Sequence, residues 1–351
     1  MKTTPVIWAF MKGLKKNNAA AICLALMVWL LLLMTPLQAL AKGDTLVVMF
    51  YNVENFFDVK DDTLKRDDDF LPEGSYHWTY YRYKKKSSTI ARVISSANGW
   101  KLPSLVGMCE VENASVLKQL IYGSGMGNAG YDFIHFDSPD LRGIDVALLY
   151  NRYLFKILET RPVSLSSDKL HLITRDALYA KMVYSGEDTL HVVVNHWPSK
   201  RGGEKASEPK RAHAATTIRQ LCDSILAKEP QAKLILMGDF NDEASSNAIR
   251  NIMEAGHPDE PAKRLINLSV LNTGLGSHKF QGAWSCIDHI IIARSLWNPA
   301  QPAGFKVVEL PFLLENDDIY SGVRPFRTYA GQRYLGGYSD HLPVMAFIPV
   351  H

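Results

Sequence analysis

The chain has 351 residues, 47% of them hydrophobic and 21% charged, which is ordinary for a soluble globular protein. A chain of this length can bury a sizeable core without disulfide or metal staples. The formal net charge is +3, but Lys2, Lys12, Lys15 and Lys16 stand before residue 42 with no acidic counterparts. Without them the rest carries 3 − 4 = −1, so charge gives no reason to expect a nucleic-acid partner.

Those lysines open a segment with the order of a secretory signal. Ala19 to Leu33 is almost wholly apolar, Thr35-Pro36-Leu37-Gln38 breaks the run, and Ala39-Leu40-Ala41 sets small residues before Lys42. Residues 1–41 are therefore expected to be a cleaved signal peptide and 42–351 one catalytic domain. The protein is then exported, to periplasm or medium, with no stable membrane anchor. A retained anchor is the alternative, because the apolar run approaches spanning length. Cys23 lies inside that run rather than after it, which argues against a lipoprotein. Cys109, Cys222 and Cys286 are odd in number and widely spaced, so they read as buried thiols rather than a disulfide framework or a zinc site.

Strand-like runs follow in order: Thr45–Asn52, Ser104–Glu110, Tyr131–Phe136, Ile144–Tyr150, Phe155–Thr160, Leu178–Tyr184, Thr189–Asn195, Lys233–Asp239, Ile287–Ala293 and Val344–Val350. Several are apolar on both faces, as in sheets covered on both sides. Helical spacing appears at Ser87–Asn98, Ala114–Tyr122, Pro209–Lys228 and Ser245–Ala255. Interleaved strands and helices imply an α/β fold. Four strands in succession between 144 and 195, with no helix among them, imply mixed sheets. Residues 58–86 and 299–339 read as long loops. The basic groups Lys84-Lys85-Lys86 and Lys200-Arg201 read as solvated surface.

The informative feature is what ends the apolar runs. In turn they meet Asn52, Glu110, Asn195-His196, Asp239-Phe240-Asn241-Asp242, Asp288 and Ser339-Asp340-His341. Singly, each has a structural explanation, as a turn residue, a cap or an ion pair. Jointly they point to one crevice, because residues beyond strand ends of an open α/β sheet converge. Carboxylates can hold a hard cation through oxygen, imidazoles can move protons, and amides can orient water. That set suits hydrolysis of a phosphate ester.

The segments YNVEN, CEVEN, NHWPS, GDFND, IDHI and SDHLPV occur in the order found in the endonuclease/exonuclease/phosphatase superfamily, which the chain resembles from about residue 44 to 349. The opening YNVENFFD looks like an exported bacterial branch. The resemblance implies a four-layer sandwich: two mixed β-sheets packed face to face with helices outside. It implies Mg²⁺, with Mn²⁺ or Ca²⁺ as alternatives, on Asn52, Glu110 and Asp340. It implies that Asp239 and Asn241 place the attacking water, that Asp288 and His341 act as a pair, and that His196 assists. Asn195 precedes His196 and is expected to touch substrate. Asp137 is the candidate carboxylate partner for His196. No tyrosine matches the catalytic one of abasic-site enzymes.

The expected substrate is a phosphodiester, DNA or RNA, and the expected enzyme a monomeric exported nuclease. The alternatives are a sphingomyelinase-like or sugar-phosphate phosphoesterase, and a non-catalytic binding module. Arg324, Arg327 and Arg333 with Phe326, Tyr329, Tyr334 and Tyr338 crowd before Ser339. Arg324 and Arg327 are expected to grip phosphates while the aromatics stack bases.

Overall fold

The structure, a computed structural model, describes residues 45–186 and 188–350; the expected signal segment, residues 1–41, lies outside the described residues. One compact unit spans Thr45–Val350. Its strands in chain order are β1 (Thr45–Phe56), β2 (Leu105–Val111), β3 (Tyr131–His135), β4 (Asp145–Asn151), β5 (Phe155–Val163), β6 (Ala177–Tyr184), β7 (Asp188–His196), β8 (Lys233–Asp239), β9 (Ala255–Gly256) and β10 (Leu265–Asn267). Then come β11 (His278–Phe280), β12 (Ala283–Ser285), β13 (Asp288–Ala293), β14 (Gly304–Val307), β15 (Leu314–Asn316), β16 (Val323–Pro325), β17 (Tyr329–Ala330), β18 (Arg333–Tyr334) and β19 (Val344–Pro349). The α-helices are α1 (Tyr80–Ser96), α2 (Ala114–Gly123) and α3 (Glu204–Lys228).

One sheet has six strands, ordered β14-β19-β1-β2-β4-β3, and the other seven, ordered β5-β6-β7-β8-β13-β10-β9. Both are mixed, as expected: β1–β2 and β7–β8 pair in parallel, while β1–β19 and β8–β13 pair antiparallel. Alternation along β7 explains the layering. Val192 and Val194 join the core between the sheets, and Val193 joins a second core under α3 with Ile218, Leu221 and Cys222. With α1 and α2 packed into the first core, the order is helix, sheet, sheet, helix. Because strands apolar on both faces gain little register information from alternation, close approach matters more. Gly107 and Gly238 provide it: a Cβ on Gly107 would collide with Met237 of the facing sheet, and one on Gly238 with the backbone of Asn195.

Several boundaries differ from expectation. Helix α1 starts at Tyr80, inside the expected loop 58–86, because Thr79 caps it and Tyr83, Lys86, Ile90 and Val93 are buried along it. Lys86 is therefore not surface: its ammonium is buried and donates to Thr328 Oγ1 and Tyr338 O, both at 2.6 Å. Burial pushes its pKa down to about 8. Helix α3 begins five residues before Pro209, and Arg211 from its third turn donates to Glu204 O and Ser207 Oγ. The expected helix Ser245–Ala255 is a short π-helix, Asn247–Ile252, followed by Glu254 at φ 53°. The expected loop 299–339 contains β14, which extends the first sheet, and the hairpins β15–β16 and β17–β18. Among the described residues no helix is long and apolar enough to cross a membrane.

Candidate active site

The parallel pairs β1–β2 and β7–β8 end on the same side, and antiparallel β13 begins there. The register sets His196, Asp239 and Asp288 in one row across β7, β8 and β13. Asn52 reaches across from the other sheet, its Nδ2 donating to Asp239 Oδ2 at 3.1 Å. His341 completes the group: its Nδ1 lies 2.7 Å from Asp288 Oδ2 and its Nε2 3.8 Å from Asp239 Oδ2. His196 Nε2 stands 3.6 Å from the same oxygen. Asp239 thus faces one amide and two imidazoles, while its other oxygen accepts from the Asn241 backbone at 2.8 Å.

The chain turns sharply as it leaves these strands. Glu54, Asn55, Glu110 and Asn241 all have positive φ, between 52° and 61°. That region is uncommon for residues with a Cβ and costs about 1–2 kcal/mol each. The turned backbone lets neighbouring side chains and amides close on one another. Asn52 Oδ1 accepts from Glu54 N, and Glu110 Oε2 from Asn55 N.

Electrostatics separates the titratable groups. Burial, then the nearby charge of Asp288, raises Asp239 from 3.8 to about 7. Burial also opposes a charge on His341, but Asp288 and Asp239 outweigh it and hold the imidazole well above its usual 6.5. His196 goes the other way, well below 6.5, through burial and then the Arg175 guanidinium. The two imidazoles facing Asp239 are therefore pushed in opposite directions.

The residues expected to hold a cation offer oxygen donors. Glu110 uses only Oε2 in a hydrogen bond, Asp340 uses only Oδ2, and Asp288 Oδ1 is buried without a partner. Asp288 Oδ1, an orphaned buried carboxylate oxygen, is an oxygen donor of the kind a hard divalent ion takes. Asp239, Asp288 and His341 also bring ligand atoms within 4.8 Å of one another, as do His278, Asp340 and His341.

Four expectations need correction. Asn195 does not face substrate: it is fully buried, donating to Met237 O and accepting from Trp197 Nε1 at 3.3 Å. Asp137 is not the partner of His196; its side chain is 84% exposed beside His135, and the acid near His196 is Asp239. Arg324 is not a free phosphate grip: it pairs with Glu315 at 2.8 Å across the β15–β16 hairpin. The aromatics do not form a stacking platform: Tyr329 and Tyr338 are buried, Tyr329 against Tyr76 and Tyr334 and Tyr338 against Phe312. Arg327 does stand at the site, donating to Asp340 Oδ2 at 2.9 Å and Glu54 Oε1 at 3.3 Å.

Sequence reasoning missed the supports. Buried Arg175 donates to the carbonyls of His196 and Trp197 at 2.9 and 2.8 Å and reaches Asp140 at 3.3 Å. Ser339 Oγ donates to Asn52 O at 2.7 Å and accepts from His341 N, tying the two motifs together. His278 forms a β-bridge with His341, their rings 4.8 Å apart. Ser339 sits within a motif already singled out; Arg175 and His278 carry no such signal.

A two-sheet sandwich that gathers carboxylates, imidazoles and amides at its strand ends is the architecture of a phosphoric ester hydrolase. The chain belongs to the Endonuclease/Exonuclease/phosphatase family, whose profile matches residues 47–349. A search of curated proteins gave no match. Solved structures similar to it include a family protein from Bacteroides thetaiotaomicron, at 16% identity over 88% of this chain and 99% of that one, TM-score 0.57. A mannosyl-6-phosphatase from Bacteroides thetaiotaomicron is 18% identical over 86% of this chain and 99% of that one, TM-score 0.56. TDP2 of D. rerio, complexed with single-strand DNA product, is 16% identical over 88% and 100%, TM-score 0.52. The family is dependent on divalent metals.

Proposed function

We propose that the enzyme hydrolyses a phosphodiester by in-line attack of water, with Mg²⁺ held by Glu110, Asn52 and Asp340. The observation that carries this reading is the buried cluster of Asp239, Asp288 and His341, with His341 Nδ1 2.7 Å from Asp288. When bound, the cation offsets charge on the phosphoryl oxygens. Asp239, raised towards neutrality, takes the proton of the attacking water, and Asn241 orients that water. His341, kept cationic by Asp288, donates from Nε2 to the phosphoryl group or to the leaving oxygen. An acid there favours diesters, whose alkoxide leaving groups are poor. Neutral His196 donates or accepts a hydrogen bond from the opposite side.

Nucleic acid is the first substrate to test, since TDP2 of D. rerio was solved with single-strand DNA product. A small phosphoester is the second reading. It is favoured by the commitment of Arg324 to Glu315 and by the burial of Tyr329 and Tyr338, which leave Arg327 alone of the expected nucleic-acid grip. The expected result of a substrate panel is hydrolysis of a chromogenic diester that disappears with chelator and returns with Mg²⁺ or Mn²⁺. Full activity after exhaustive chelation ends the metal reading. DNA, RNA, sphingomyelin and a phosphomonoester assayed under one Mg²⁺ condition decide the substrate. Arg324→Ala should leave DNA cleavage unchanged; a large loss restores the nuclease grip.

We also propose export with cleavage before Lys42, on the basic, apolar, Ala-Leu-Ala order of residues 1–41. N-terminal sequencing of the protein recovered outside the cytoplasm should begin near Lys42; an intact Met1 in the membrane fraction means an anchor instead.

A further inference from the structure

Residues 74–109 hold six lysines and arginines and no acidic residue, and residues 319–339 hold three and again no acid. The two segments pack together: Lys86 of α1 donates to Thr328 Oγ1, and Arg82 lies over the Tyr334 ring, 4.3 Å from its centroid. A net charge near zero therefore hides an uneven distribution. Arg82, Lys85 and Arg92 follow one face of α1, since steps of three and seven residues return a helix to the same side. Among the described residues their partners are rings, carbonyls and a hydroxyl rather than carboxylates. Arg82 donates to Tyr76 O and His77 O at 2.6 and 2.9 Å, and Lys85 Nζ stands 5.8 Å from the Tyr334 centroid. Arg92 stands 4.2 Å from the Phe312 centroid and donates to the Tyr338 hydroxyl at 2.9 Å. The cations are thus held in place with their charge uncancelled, unlike side chains that simply extend into solvent.

We propose that this face of α1 is a docking surface for a single strand of nucleic acid, whose phosphates it holds outside the crevice. The inference rests on the phosphodiesterase reading and narrows the substrate to a polynucleotide. From Arg82 to Arg92 the stripe runs about 15 Å along the helix, an elongated shape that suits a strand. It adjoins the crevice: Thr328, which accepts from Lys86, donates its own N–H to Glu54, and Arg327 beside it donates to Asp340. A guanidinium carries five N–H donors, so Arg82 and Arg92 keep donors free for phosphate oxygens. Tyr80 and Tyr81 open the same helix and are 61% and 71% exposed, which offers ring faces to bases. They supply what the buried Tyr329 and Tyr338 cannot. A membrane contact calls for exposed aliphatic side chains beside the cations, whereas the large apolar side chains exposed on α1 are these two tyrosines.

The test is fluorescence anisotropy of the purified protein with a labelled oligothymidylate of about 12 nucleotides, in chelator so that nothing is cleaved, over a salt series. The expected affinity falls with salt on a log–log slope of about −2, as three phosphate contacts to a single strand give. Lys85→Ala combined with Arg92→Ala should weaken binding on the order of tenfold at low salt and flatten the slope by about 1.4. Lys85 makes no hydrogen bond through its side chain among the described residues. Lys85→Ala alone, flattening the slope by about 0.7, therefore decides the matter if the double variant does not fold. Lys228→Ala, at the end of α3 on the other sheet, should bind as the native protein does. Unchanged affinity and slope in both α1 variants, or an equal loss in Lys228→Ala, overturns the proposal. So does binding to phosphatidylserine vesicles that weakens in the α1 variants while the oligonucleotide stays unbound, which makes the stripe a membrane contact. Hydrolysis of a chromogenic diester with Mg²⁺ is scored separately: its absence beside intact, salt-dependent oligonucleotide binding sinks the phosphodiesterase reading and leaves the docking surface standing.

Discussion

Alanine in place of His341 should lower turnover by on the order of 10²-fold or more, and Asp288→Asn should come close to the same loss. Asp288 Oδ2, 2.7 Å from Nδ1, fixes both the orientation of the ring and its charge. Asn cannot supply that charge. The imidazole then loses the largest interaction opposing its desolvation, and its pKa falls. Because the two residues act as a unit, the double variant should be scarcely worse than His341→Ala alone. Multiplicative losses in the double-mutant cycle would show that they work separately. The pH profile gives a second readout. Loss of activity at high pH should begin at lower pH in Asp288→Asn than in the native enzyme, since a less supported imidazolium gives up its proton sooner.

Asp239→Asn is expected to lose on the order of 10³-fold in turnover and, unlike most active-site changes, to become more stable relative to the native protein as pH rises. The loss follows from removing the carboxylate that faces Asn52, His196 and His341 together. The stability gain follows from the sign of the shift. Asp239 is raised from 3.8 to about 7, so between those values the native state keeps a proton that the unfolded chain has released. Native stability from this group therefore falls as pH climbs through that window, and is at its lowest above about pH 7. Asn carries no such charge. Metal-free melting curves of both proteins from about pH 5 to about pH 8 should show the difference moving in favour of the variant. A difference that stays flat with pH would mean that Asp239 is ionised throughout.

The row of His196, Asp239 and Asp288 was legible because it follows a rule about strand ends rather than about individual residues. Apolar runs such as Leu234–Gly238 announce their own termination, and parallel neighbours terminate on one side, so Asn52, Glu110, His196 and Asp239 could be grouped without coordinates. What failed was pairing across long sequence distances. Nothing near Arg324 says that its charge is taken by Glu315 on the facing strand. Nothing near Asp137 says that it leaves the β3 end towards His135 rather than towards His196. Arg175 was invisible for a related reason: its partners are main-chain carbonyls, which have no residue-type signature. Helix α1 was read too short because its first turn is rich in tyrosine and lysine, and Lys86 looks like a surface residue until Thr328 and the Tyr338 carbonyl are seen around it. Composition also misjudged the aromatics before Ser339, which pack into the core rather than stand ready for bases.

The left-handed backbone at Glu54, Asn55, Glu110 and Asn241 places a constraint on how this protein can vary over generations. Glycine adopts that conformation without strain, so at each of these positions a mutation to glycine relieves local steric conflict. At Glu110 and Asn241 the same mutation deletes a side chain that the proposed chemistry uses. Drift towards a more tolerant backbone and retention of the crevice therefore pull in opposite directions at the same codons. Random variants selected only for expression or heat resistance should accumulate glycine there, whereas a lineage held to its activity keeps the strained residues and relies on the rest of the sandwich to hold them.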